Sequence, residues 1–128
     1  MTKIATRSVK PSAVIGFELF PEYGYCRGRD TVTVVSGMDI GSVVQLSGGK
    51  YVGVNAAAVA ALNADVRIII DPEITSLAAG DQTVTTLKVG PAGVARGGLK
   101  FLDTLTTAQI NTVAAALEAK NIRVLATV

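Results

Sequence analysis

The sequence predicts a mainly β domain of the α+β type: a compact mixed-β body of about six or seven short strands, with one C-terminal helix and an extended N-terminal arm. Short runs rich in valine, isoleucine and threonine recur between glycine-bearing turns, the pattern of closely spaced strands rather than of βαβ units. The one confident stretch of helical spacing comes late, after Thr106. The apolar content of 49% is mostly aliphatic, with aromatics at 5% and no tryptophan, which suits strands built from small branched side chains. At 128 residues the chain fits one body that buries roughly two thirds of its unfolded surface. The division expected is an arm over residues 1–20 and a single β-rich domain over residues 21–128.

The first ten residues contain Lys3, Arg7 and Lys10 without an acid, interleaved with Ile4 and Val9. Residues 1–20 show neither a helical nor a strand period, and Pro11 and Gly16 interrupt both. Two readings stand: a poorly ordered terminus, or an arm that becomes ordered against a partner. Four of the six aromatic residues follow closely, Phe17, Phe20, Tyr23 and Tyr25. Rings bury large areas at low entropy cost, so this cluster either anchors the arm to the body or a neighbour, or plugs the domain's own core. Arg27, Arg29 and Asp30 surround Gly28 in what reads as a charged surface loop.

Residues 31–35, TVTVV, form the first predicted strand, closed by Ser36-Gly37. Residues 42–46 form the second, and Ser47-Gly48-Gly49 turns it into Lys50-Tyr51-Val52, a hairpin over residues 42–54. The glycine pair lacks the lysine-bearing pattern and following helix of a phosphate loop. Residues 55–65, NAAAVAALNAD, fit either a short helix or a surface loop. Residues 66–70 are an apolar strand interrupted by Arg67 and ended by Asp71-Pro72. A connection over residues 73–81 turns at Gly80-Asp81. Residues 83–89 then alternate as a strand ended by Gly90-Pro91, and residues 94–96 are a short strand before Gly97-Gly98. Thr106 with Gln109 makes a capping box, and Leu105 with Ile110 a hydrophobic staple, so a helix starts at Thr107. Ile110, Val113, Ala114 and Leu117 share its apolar face, which packs on its own sheet or on a neighbouring protomer. Asn121 tolerates the left-handed conformation that ends a helix, and residues 123–128 return as the final strand.

The chain has no histidine, ten carboxylates, twelve Lys and Arg, and one cysteine, Cys26. Serine–histidine and cysteine–histidine catalysis are therefore excluded, as are an intrachain disulfide and a cysteine-built zinc site. Asp71 with Glu73, and Glu18 with Glu22, are carboxylate pairs capable in principle of acid–base or hard-cation work, but acids at Asp71 and Glu73 also suit the turn around Pro72. Neither an enzyme nor a cofactor nor a metal is expected. A net charge of +2 does not by itself argue for nucleic acid. No apolar run reaches the ~20 residues of a membrane-spanning helix, and a soluble protein made in the cytoplasm is expected.

The order Arg29, Thr31-Val32-Thr33-Val34, Gly37, Gly41-Ser42-Val43-Val44, Lys50-Tyr51, the strand at 83–89, Arg96, Leu105-Thr106-x-x-Gln109, Leu117 and Asn121-Ile122-Arg123-Val124 resembles the lambda-type head decoration proteins of tailed bacteriophages. The resemblance spans roughly residues 29–128 and lies in order and spacing. It implies a homotrimer on the outer surface of the expanded capsid, at local threefold positions, with the major capsid protein and its own copies as partners and neither nucleic acid nor membrane. It further implies that the arm binds capsid by strand addition. Ile4, Val9, Val14, Ile15 and Phe17 would then make apolar contacts, and Lys3, Arg7 and Lys10 would meet acidic coat surface. Phe20, Tyr23, Tyr25 and Arg29 become anchor or trimer contacts. The competing class is a small β-rich module recognising a glycan or host surface through residues 27–30 and 55–65; an enzyme with a carboxylate site is a third.

Overall fold

Alternating apolar residues and tight glycine turns produce eight short strands among the described residues of the computed structural model, which are 15–18 and 26–125. They are β1 (Ile15–Glu18), β2 (Arg27–Val34), β3 (Val43–Ser47), β4 (Lys50–Gly53), β5 (Val66–Ile69), β6 (Gly80–Leu87), β7 (Ala92–Ala95) and β8 (Ile122–Leu125). Helix α1 (Ala56–Val59) is a single turn and α2 (Thr107–Glu118) is the main helix. Strands β2-β4-β3-β5-β6 close into a barrel, while β1-β7-β8 form a separate three-stranded sheet. The body is mainly β, as the composition predicts.

The hairpin forms as expected. Ser47 pairs with Lys50, and Gly48 and Gly49 both take positive φ, 61° and 84°, the conformation a two-residue hairpin turn requires. The capping box also forms: Thr106 Oγ1 accepts from the Gln109 amide at 3.2 Å and Gln109 Oε1 accepts from the Thr106 amide at 2.9 Å. Val113 and Leu117 are fully buried and Ala114 nearly so, and α2 packs on its own β8 and β5 and on α1. It ends at Glu118, and the chain reverses at Asn121, whose φ is 63°.

Three expectations are revised, and two strands begin earlier than expected, β7 at Ala92 rather than 94 and β8 at Ile122 rather than 123. Arg27–Asp30 is no loop: it is the first half of β2, paired residue for residue with β6 from Arg27↔Leu87 to Val34↔Gly80. Eight continuous ladder pairs outweigh the turn propensity of Gly28 and Asp30. Strand β6 correspondingly starts at Gly80 rather than 83. The third revision is β1, an eighth strand inside a stretch that lacked a strand period. It pairs antiparallel with β7, and its register shifts between Ile15 and Phe17, at Gly16. A glycine that breaks alternation is accommodated there as a bulge. The open choice at residues 55–65 resolves into one helical turn, capped by Asn55 Oδ1 accepting from Ala58 N at 2.8 Å, followed by a loop.

Barrel and sheet are joined around a shared apolar core. Paired residues on adjacent strands share a face. The pairings Val32↔Tyr51, Tyr51↔Leu46, Val44↔Arg67, Ile69↔Thr86 and Val84↔Asp30 therefore trace one continuous inner surface around the barrel. On its outer surface, Val43, Val66, Ile68 and Leu87 are at most 1% exposed, covered by the helix and second sheet. Gly90 sits where β7 is stitched to the end of α2: its amide donates to Lys120 O at 2.9 Å, and a Cβ there would run into the Asn121 carbonyl.

Replacing Gly90 by Ala is expected to destabilise by about 3 kcal/mol, the upper range of overpacking effects. Gly97→Ala, which meets no atom within 4 Å, should stay within about 0.5 kcal/mol. Urea unfolding of both variants checks the contrast.

Candidate functional site

Of the residues assigned to the arm, Lys3, Ile4, Arg7, Val9, Lys10 and Val14 lie outside the described residues, as do the anchor candidates Phe20, Tyr23 and Tyr25. Ile15 opens β1, pairs with Val94 and is partly buried against the core. Phe17 pairs with Gly93 through the backbone. Residues 15–18 thus form the outer strand of a sheet whose order is β1-β7-β8.

Arg29 lies on the outer face of the barrel with its side chain 61% exposed. Its Nη1 donates to Thr85 Oγ1 at 2.8 Å and to Asp71 Oδ2 at 3.3 Å. Around it, Thr31 faces Thr83 and Thr33 faces Asp81 across the β2–β6 ladder, making a polar, solvent-facing surface. Asp71 is 6% exposed. It also accepts from the amides of Glu73 at 2.9 Å and Thr85 at 3.1 Å, so its carboxylate is held as a turn and ladder anchor.

The densest chemistry is inside the barrel, on residues that composition and spacing left unremarked as a group. Arg67 projects inward from β5 and its Nη1 donates to Asp30 Oδ2 at 2.7 Å. Thr86 Oγ1 donates to that same oxygen at 2.6 Å, and the guanidinium carbon lies 4.6 Å from the centre of the Tyr51 ring. At the barrel mouth, Asp65 accepts from Arg67 Nε at 3.1 Å, Tyr51 Oη at 2.7 Å and Lys120 Nζ at 3.0 Å. The last of these ties the end of α2 to the barrel. Among the described residues no buried side-chain nitrogen or oxygen lacks a partner. The signal was present in the alternation Asp30-x-Val32-x-Val34, which puts the carboxylate on the same face as two core valines.

This geometry sets the titrations. Burial acts to raise the Asp65 carboxyl, but the hydrogen bonds from Tyr51, Lys120 and Arg67 outweigh it and hold the group at about 2. Burial, then the bond to Asp65, push the Tyr51 phenol up to about 12 against the opposing charge of Arg67. For Arg67, burial acts to lower the pKa, and the bonds to Asp65 and Asp30 reverse that and raise it. The cluster is a paired plug whose Tyr51 and Asp65 are shifted in opposite directions, away from neutrality.

Among the described residues no three His, Cys, Asp or Glu side chains gather to hold a metal ion, and no helix is long and apolar enough to cross a membrane. Compared with family models, curated proteins and solved structures, the chain matches none.

Removing Arg67 alone leaves Asp30 charged in the barrel, so Arg67→Ala should cost about 3–5 kcal/mol in urea unfolding. The double change Asp30→Val with Arg67→Leu should recover most of that loss, because no buried charge is then orphaned. The pH profile follows from the shifts. Asp65 lies below its ordinary 3.8, so its contribution is complete above about pH 4 and is lost as pH falls towards 2. Tyr51 lies above its ordinary 10.0, so its contribution is complete below pH 10 and is lost as pH rises towards 12. The stability advantage of the native chain over Tyr51→Phe should accordingly shrink between pH 10 and 12.

Proposed function

We propose that this protein is a structural virion component that binds the outside of an expanded phage capsid as trimers at local threefold positions and stabilises the shell against the pressure of packaged DNA. The observation that carries this reading is β1. The basic, acid-free segment precedes β1, an outer strand of a three-stranded sheet, and in this reading it adds as a strand to an exposed edge of the coat protein. Main-chain bonds supply the affinity in that mode, Ile4, Val9 and Val14 the apolar contacts, and Lys3, Arg7 and Lys10 the attraction to acidic coat surface.

The tightly paired barrel supports the same reading as the rigid body that holds the arm. A trimer presents three arms to one lattice site, so weak single contacts combine through effective concentration. Bridging several coat subunits in this way opposes expansion without any chemical step.

Mixing the protein with undecorated expanded capsids and imaging them tests the proposal directly: density on local threefold axes is expected, and bare axes would remove it. A chain lacking residues 1–14 should unfold at the same denaturant concentration as the whole chain yet bind capsids at least about 100-fold more weakly, a loss of about 2.7 kcal/mol. Full saturation of capsids by that shortened chain at unchanged affinity would sink the role of the arm. Binding by the whole chain should also weaken as salt rises, since its charged contacts are screened.

A further inference from the structure

The guanidinium of Arg29 is held from one side only. Its Nη1 uses both hydrogens, on Thr85 Oγ1 at 2.8 Å and on Asp71 Oδ2 at 3.3 Å. Asp71 is itself fixed, with its side chain 9% exposed and the amides of Glu73 and Thr85 donating to it at 2.9 and 3.1 Å. Of its three bonds the one to Arg29 is the longest, so it orients the guanidinium without consuming its charge. Nε and Nη2 donate to no described residue. With its side chain 61% exposed, Arg29 therefore offers the Nε–Nη2 edge, whose two parallel N–H groups match the two oxygens of a carboxylate. A surface arginine ordinarily loses rotamer freedom to engage a ligand in this way, and a guanidinium already held has less to lose.

We propose that this edge of Arg29 binds a carboxylate carried by a protein partner, an Asp or Glu side chain set down on the outer face of β2 and β6. The surroundings select that chemistry. Thr31 and Thr83 are exposed and face each other at the next outward pair of the ladder, about 7 Å along the strands. Their hydroxyls are placed to bond further polar groups of the same partner. Asp81 closes the far end of the face, bonded to Lys50 and Thr33. With Asp71 it makes the face a poor place for a nearly doubly charged phosphate, whereas a carboxylate brings one negative charge to one guanidinium. The face is an open ladder that encloses nothing, so a small free acid stays fully hydrated there. A carboxylate gains more when the surface that carries it also covers the threonines and excludes water. The site does not rest on the decoration reading.

Titrating the full chain with an end-blocked hexaglutamate peptide at low ionic strength, while following the arginine Nε–Hε NMR signals, tests the site. The Arg29 signal should move at least about two-fold further than those of Arg96 and Arg123, because only a bidentate contact bonds Nε directly. Arg29→Gln should weaken binding at least about ten-fold, the loss expected for a charged hydrogen bond. Arg29→Lys keeps the charge without the fork and should weaken it nearly as much. Arg123→Gln, at an exposed position of the second sheet, should leave binding within about two-fold. An unmoved Arg29 signal, equal movement of all arginine signals, or full binding by Arg29→Lys would each overturn the proposal. So would an equal or larger Arg29 shift from inorganic phosphate, or from succinate at the same carboxylate concentration. No capsid is present in the sample, so a failure of capsid binding leaves this readout intact.

Discussion

The ion pair between Arg67 and Asp30 is the interaction on which the barrel depends. Two charges, each with a side chain about one-sixth exposed, are tolerated in the lumen because every strong donor and acceptor around them is used: Thr86 on the carboxylate, Tyr51 beneath the guanidinium, Asp65 on its Nε. Pairing of this kind is a weak source of net stability, since desolvation cancels much of the attraction. It is a strong constraint on register. A slip by one residue in β5 would turn Arg67 out of the lumen and bring the neighbouring isoleucine in, leaving Asp30 without its countercharge. The correct pairing of β2, β5 and β6 is thus the arrangement in which no charge is stranded.

That constraint extends outward through Asp65. By accepting from Tyr51, Arg67 and Lys120 together, one carboxylate links strands β4 and β5 to the end of the main helix, and the helix carries β8 into the second sheet. Closing the barrel removes its own unpaired edges. The open three-stranded sheet is then where the fold concentrates edge strands, and β1 is one of them. Barrel and sheet differ in this: the strands of one close on themselves, while the other carries β1 at its margin.

What was legible in the sequence was what local chemistry decides alone. Thr106 and Gln109 announce the helix start, Asn121 its stop, and Gly48-Gly49 the hairpin, because each satisfies or bends the backbone within a few residues. The strand at Arg27–Asp30 was not legible, since Gly28 and the charges around it mimic a loop and only the distant β6 ladder overrides them. Strand β1 was hidden by Gly16, whose bulge breaks the period of two. The ionic plug was hidden differently: Arg67 stood out as an interruption in an apolar run, but its partners come from sequence separations of 37 residues for Asp30 and, through Asp65, 55 for Lys120. Alternation places a residue on a face; it does not say which faces meet.

The proposed function draws on this division more than on any cluster of reactive groups. The plug satisfies its own charges, and its shifted groups titrate far from neutrality, so the most polar site in the body stabilises structure. A stiff body matters for cementing because an arm can transmit restraint between coat subunits only if its point of attachment does not yield. β1 is held along β7 and packed through Ile15 against the core. In the decoration reading, a pull on β1 would pass along the β7 and β8 ladders to the helix and, by Lys120 and Asp65, into the barrel. In the decoration reading the arm supplies the bond and the ion-paired barrel supplies the resistance that makes the bond useful.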